Sequence, residues 1–128
     1  MYELKVAARF AAAHQLKLVT EKCENLHGHN WHIEVFVAGQ ELNSAGVLID
    51  FGELKGHVAA VMEQLDHKFL NELDYFRDAN PSSENIARFI CRQVQQRLDT
   101  SRVSVARVAV WESEDACATY YPPAKASG

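Results

Sequence analysis

Cysteine is scarce in this chain: three in 128 residues, scattered and odd in number. That excludes a disulfide-stapled scaffold and fits a reducing compartment. No apolar run approaches the ~20 residues that span a bilayer. The opening Met1-Tyr2-Glu3-Leu4-Lys5 has no basic stretch followed by an apolar core, so neither a membrane span nor a signal peptide is expected. A strong charge of either sign is also missing. The formal net charge of -4 argues against a nucleic-acid ligand, which usually meets a basic face. Repeats and low-complexity segments are absent too. The 48% hydrophobic and 23% charged content is that of a soluble globular protein. We therefore expect one cytoplasmic domain over residues 1–122, with 123–128 as a tail.

Periodicity supplies the elements. The even positions from Tyr2 to Ala12 are apolar and lead to His14, while Glu3, Lys5 and Arg9 fall on odd positions, a half-buried strand. A second strand from His27 to Val37 puts His27, His29, Trp31, Ile33, Val35 and Val37 on one face and His32 and Glu34 on the other. Asp50 with Glu53 three residues on starts a helix whose stripe is Leu54, Val58, Val61, Met62 and Leu65. Asn80-Pro81-Ser82-Ser83-Glu84 starts another, with Ile86, Phe89, Ile90, Val94 and Leu98 as its stripe. Strands over Val103–Glu112 and Cys117–Tyr121 complete a ββααββ order. This predicts an α+β domain with a four-stranded antiparallel sheet and both helices in the crossover between the second and third strands. Its open edges predict an oligomer joined edge to edge.

The chemistry-bearing residues begin with His27-Gly28-His29. Side chains at i and i+2 of a strand point the same way, so two imidazoles can share one ion, and His14 at the end of the neighbouring strand can supply a third. Three neutral imidazoles in a tetrahedral site suggest zinc over iron or manganese. Cys23, four residues before His27 on the connecting segment, reads equally as an inert thiol, a fourth ligand or a reactive thiolate favoured by Lys22. Asp66-His67 reads by itself as a solvated helix end, against the alternative of an oriented acid/base histidine. Glu112 continues the apolar even face of Ser104, Ala106, Val108 and Val110, so either the strand end is exposed or the carboxylate meets a cation or a forked donor. Ser82 and Ser83 are first of all caps, whose hydroxyls could also hold a polar ligand. Cys91 and Cys117 read as structural.

Six segments in register carry a resemblance over Phe10–Tyr121. They are Phe10-Ala11-Ala12-Ala13-His14, Lys22-Cys23-Glu24-Asn25-Leu26-His27-Gly28-His29-Asn30, Val47-Leu48-Ile49-Asp50-Phe51, Leu65-Asp66-His67-Lys68-Phe69-Leu70-Asn71, Asn80-Pro81-Ser82-Ser83-Glu84-Asn85 and Trp111-Glu112. Together they resemble the 6-pyruvoyl-tetrahydropterin synthase family, and within it the bacterial 6-carboxy-5,6,7,8-tetrahydropterin synthases of queuosine biosynthesis. The resemblance implies zinc on His14, His27 and His29, one ion per subunit. It also implies catalysis by Cys23, Asp66 and His67, and pterin binding by Glu112, Ser82 and Ser83, where the family often has threonine. It further implies the tunnelling fold, an oligomeric barrel built as a dimer of trimers with active sites between subunits. The implied substrate is 7,8-dihydroneopterin triphosphate, with Lys22 and Lys68 as candidates to neutralise the triphosphate. The short Cys23–His27 spacing resembles the carboxy-forming branch rather than the pyruvoyl-forming one. A non-catalytic zinc-stabilised module, or a zinc hydrolase with no use for a thiol, are the rival readings.

Overall fold

Strict alternation from Tyr2 to His14 folds, in a computed structural model describing residues 1–17 and 25–124, as an unbroken strand β1 (Tyr2–His14). It pairs antiparallel with β2 (His27–Gly39) over thirteen positions without a slip, from Tyr2 opposite Gly39 to His14 opposite His27. Gly39 lets Arg102 and Leu48 pack close against the end of β2, since a Cβ on it would sit 2.5 Å from the Arg102 carbonyl oxygen and 2.6 Å from Leu48. The helix α1 (Phe51–Leu65) starts where Asp50 accepts the Glu53 amide at 3.1 Å. The helix α2 (Ser83–Arg97) starts where Ser82 accepts the Asn85 amide at 3.1 Å. Each bond satisfies one of the amide donors that a helix N-terminus leaves without an internal partner. Strands β4 (Ser104–Ser113) and β5 (Ala116–Tyr120) close the order.

The α+β architecture read from the sequence stands, with one addition. Lys68–Phe69 forms a two-residue strand, β3, parallel to Ala12–Ala13 of β1, and the sheet among the described residues runs β3-β1-β2-β4-β5. Two single 3₁₀ turns, Leu70–Glu72 and Asp74–Phe76, follow it. A two-residue strand has no period to detect, which is why alternation did not reveal it.

Both helices cover one sheet face, α1 against β1 and α2 against β4 and β5. Phe10, Trp31, Ile33, Val35, Val108 and Val110 meet Leu54, Val58, Val61, Ile86, Ile90 and Val94 in one core. The face expected for the start of β4 is corrected. Val103 and Val105 are buried while Ser104 and Ala106 are only half-buried, because a bulge opposite Phe36 and Val37 shifts the alternation before Val108. No helix among the described residues is long and apolar enough to cross a membrane.

The other sheet face is uncovered and charged. Lys5 pairs with Glu34 at 3.0 Å, Arg107 with Glu3 at 3.1 Å, and the Arg107 guanidinium lies 3.8 Å over the Phe36 ring. The Trp111 indole N–H donates to Glu34 at 2.8 Å and, with the Lys5 ammonium, holds its carboxyl below the ordinary 4.5. A carboxyl whose folded pKa is depressed stabilises the fold above its unfolded value, and that contribution fades as pH falls through the folded value. Glu34→Gln should therefore lower the urea midpoint at pH 7, and the gap from wild type should close as pH drops below 4.5. Equilibrium unfolding at several pH values checks this.

Candidate metal centre

The β1–β2 register places His14 directly opposite His27, and His29 follows two positions on along β2 on the same face. The His14 and His27 Nε2 atoms lie 3.0 Å apart. Glu112 Oε1 completes the set at 2.9 Å from His29 Nε2, 3.4 Å from His14 Nε2 and 3.8 Å from His27 Nε2. All four donor atoms fall within 4.8 Å of one another. Glu112 reaches them from a second bulge, since the β4–β5 register shifts between Trp111 and Ser113. Bulges of this kind re-aim a side chain at the end of a strand. Glu112 is 34% exposed and its carboxylate faces the three imidazoles, which leaves both a cation and a forked donor open as its partner.

Hydrogen bonding settles which nitrogens face inward. His14 Nδ1 donates to the Pro81 carbonyl at 2.7 Å, and His27 Nδ1 donates to the Asn25 carbonyl at 2.8 Å. A carbonyl can only accept, so each Nδ1 carries a proton and each ring turns its Nε2 toward the other, a bare lone pair in the neutral tautomer. Two such lone pairs 3.0 Å apart, with a carboxylate oxygen beside them, repel unless a cation lies among them. One extra proton could bridge two of these atoms but not all four. The donor set therefore fits a divalent cation, and the Nδ1-to-carbonyl bonds are the outer shell that metal-binding histidines use to fix their orientation.

Parts of this support had no signal in the sequence. Trp31 forms the floor, edge-on to His14 at 5.0 Å and to His29 at 5.2 Å, with Phe10 stacked behind it at 5.8 Å. Asn71 grips both the amide and the carbonyl of Gln15 at 2.9 and 2.7 Å, and Asn80 grips those of Lys17 at 2.9 and 2.6 Å. Each side-chain amide thus mimics a neighbouring strand and fixes the path leaving His14. Pro81 is a ligand-orienting residue through its carbonyl, a role no side-chain motif could disclose. Across the sheet, a Cβ on Gly28 would touch only the Ala12 carbonyl oxygen at 3.8 Å, so the face behind the pair is open as expected.

Asp66 and His67 lie at the β1 edge. The Ala11 amide donates to Asp66 Oδ1 at 2.8 Å, the His67 amide donates back to the Ala11 carbonyl at 2.6 Å, and Asp66 Oδ2 meets His67 Nδ1 at 2.9 Å. The Ala11 bond, aided by His67, holds the Asp66 carboxyl below its ordinary 3.8. These bonds tie the pair to the strand edge rather than to the histidine cluster, and the His67 side chain is 82% exposed. His67 adopts φ 58°, the only positive φ at a non-glycine among the described residues. Helices often end with glycine in this left-handed conformation, whereas a side chain costs roughly 1–2 kcal/mol there. The side chain is thus solvated just past a helix end, as the first reading had it, while its ion pair with Asp66 leaves the acid/base alternative open.

The remaining candidates divide. Ser82 caps α2 and Ser83 begins it, both close to His14 through Pro81. Lys68 is exposed on β3. Cys91 is buried, and burial pushes its thiol up to about 11, so it stays neutral and packs as expected. Cys117 is exposed on β5. Cys23 and Lys22 lie outside the described residues.

Two outcomes are expected here. After incubation with Zn2+ and gel filtration, wild type should retain metal and His27→Ala should not, measured as metal per subunit by elemental analysis, while the variant remains folded by circular dichroism. His67→Gly should keep or raise the denaturation midpoint, by up to about 1 kcal/mol after the entropic cost of glycine, read by equilibrium unfolding.

Comparison with known proteins gives concordant matches. Residues 3–123 match the model of the family described as 6-pyruvoyl tetrahydropterin synthase. The chain is 37% identical to a dihydroneopterin monophosphate aldolase of Pyrococcus furiosus, covering 84% of this chain and 87% of that protein. It is 34% identical to a 6-carboxy-5,6,7,8-tetrahydropterin synthase of Synechocystis, covering 89% and 88%. The fold matches the 6-pyruvoyl tetrahydropterin synthase of Caenorhabditis elegans with a TM-score of 0.84 at 22% identity, over 95% of this chain and 96% of that one. Matched from Glu3 to Pro123, the chain belongs to the 6-pyruvoyl tetrahydropterin synthase family.

Proposed function

We propose that this protein is a zinc-dependent carbon–carbon lyase. It converts 7,8-dihydroneopterin triphosphate and water into 6-carboxy-5,6,7,8-tetrahydropterin, acetaldehyde and triphosphate, a step of queuosine biosynthesis. The observation that carries this reading is the convergence of His14, His27 and His29 Nε2 with Glu112 at the mouth of the sheet. A cation held by the three histidines supplies Lewis acidity toward the vicinal hydroxyls of the substrate side chain. Cys23, as thiolate, takes a proton from that side chain, and His67 returns one, with Asp66 holding its imidazole in place. Glu112 accepts the paired N–H donors of the amino-pyrimidinone edge, so the pterin ring sets the position of the reacting carbons. Ser82 and Ser83 contribute polar contacts to the ring, and Lys22 and Lys68 balance the triphosphate.

The dyad bonds to the edge of its own β1 and not to its own cluster, which supports a site completed by a neighbouring copy. Edge-to-edge association into a dimer of trimers is the assembly we infer. A second reading has one observation in its favour, the relative from Pyrococcus furiosus named as an aldolase of dihydroneopterin monophosphate. The pyruvoyl-forming reaction is the third member of the set. Product analysis separates all three. Zinc-loaded protein given 7,8-dihydroneopterin triphosphate should release acetaldehyde and a carboxylated pterin. A pyruvoyl pterin without acetaldehyde, or a phosphorylated two-carbon aldehyde from the monophosphate, would replace this reading by one of the others. Cys23→Ala should retain metal and lose about 10²–10⁴-fold in turnover. Co-refolding Cys23→Ala with His67→Ala should restore part of the activity, because mixed assemblies contain sites with both groups intact.

A further inference from the structure

We propose that Asn80, backed by Asn85, is a positioning residue for the metal centre. It aims the Pro81 carbonyl that orients His14, and so sets metal affinity without touching the metal. This deepens the metal-dependent reading above; it rests on the cation and not on the choice of pterin.

A main-chain carbonyl takes its direction from backbone dihedrals, not from a rotamer, and around Pro81 few of these are open. The Pro81 ring fixes its own φ and disfavours helical backbone at Asn80 before it. Ser82 after it is the extended cap of α2, at φ -71° and ψ 163°, and is tied to the helix by its bond to the Asn85 amide at 3.1 Å. Asn80 is fixed from the other side. Its side chain accepts from the Lys17 amide at 2.9 Å and donates to the Lys17 carbonyl at 2.6 Å. The Asn85 side chain donates to the Asn80 main-chain carbonyl at 2.8 Å. With both neighbours held, the Pro81 carbonyl is kept 2.7 Å from His14 Nδ1.

The path closes on itself. Lys17 follows His14 by three residues, so the segment leaving the ligand is gripped by the residue that aims the ligand's acceptor. His14 and Pro81 are both buried, and a carbonyl turned away would leave the imidazole N–H without a partner. His27 has no such distant support: its Nδ1 donates to a carbonyl two residues back, in an exposed stretch. Asn80 is itself exposed, as is Lys17, so water can replace the fork between them at little cost in stability. What water cannot replace is the direction the fork imposes.

Metal affinity measured on folded protein separates aim from stability. Wild type, Asn80→Ala, Asn85→Ala and Gln95→Ala are stripped of metal and titrated with Co2+ against a chromophoric chelator, with circular dichroism reporting the fold. Gln95 is the control, since it holds the Val105 amide at 2.8 Å from the far end of α2 and has no link to Pro81. Asn80→Ala should bind Co2+ about 10–100-fold more weakly than wild type, the usual loss when a metal-binding histidine is deprived of its outer-shell partner. Its Co2+ visible absorption should shift as well, because one imidazole has lost its aim. Asn85→Ala should show a smaller change in the same direction. Gln95→Ala should lower the urea midpoint and leave affinity and spectrum unchanged. Should Asn80→Ala not fold, Asn85→Ala decides on the same readouts. Variants at 80 and 85 that match wild type in affinity and spectrum would overturn the proposal, as would an equal weakening in Gln95→Ala. A wild type that binds no Co2+ would overturn the metal reading itself, and the positioning role with it.

Discussion

The register between β1 and β2 is the constraint on which everything else rests. Alternation along a strand has a period of two, so a slip of one residue would send His14 to the uncovered face and leave His27 and His29 without a third nitrogen. The register is fixed far from the site, by Val6, Phe10, Trp31, Ile33, Val35 and Val37 all needing the same side of the sheet at once. Burial of these residues, each worth roughly 1.5–3 kcal/mol, holds imidazoles in a mutual approach they would otherwise resist. Core packing thus supplies the energy that concentrates like polar atoms at one end of two strands.

Around that constraint the polar groups are arranged with different degrees of freedom. His14 is buried and held through Nδ1 by the Pro81 carbonyl, and the segment after it is gripped by Asn71 and Asn80. Glu112 is half-exposed on a bulge, and His67 is strained and exposed at the sheet edge. Burial and hydrogen bonding fall off from His14, nearest the core, to Glu112 and His67 at the surface. That gradient is what a site needs if the metal is to stay while other molecules come and go.

Much of this was legible in the residues. Alternation gave the pair of long strands, the caps at Asp50 and Ser82 gave the helix starts, and His-x-His gave the shared direction of two ligands. The carboxylate continuing an apolar face marked Glu112 as a residue needing a partner, a forked donor or a cation. What escaped was what has no side-chain pattern. The Pro81 carbonyl that orients His14, the bulge that reverses the face of Val105, the two-residue strand beside Ala12 and the left-handed backbone at His67 all arise from long-range pairing. Asp66-His67 shows the difference most plainly. As a dipeptide it looked like an ordinary helix end, and only its backbone angle and its bonds to Ala11 distinguish it.

The uncovered side of the sheet carries a further consequence. Lys5, Arg9, His32, Glu34 and Arg107 stand there in place of aliphatic residues, and the ion pairs among them leave the surface ionic rather than greasy. Desolvating so many charges would cost more than close contact returns. This surface therefore cannot become the inner layer of a sandwich. It keeps its hydration.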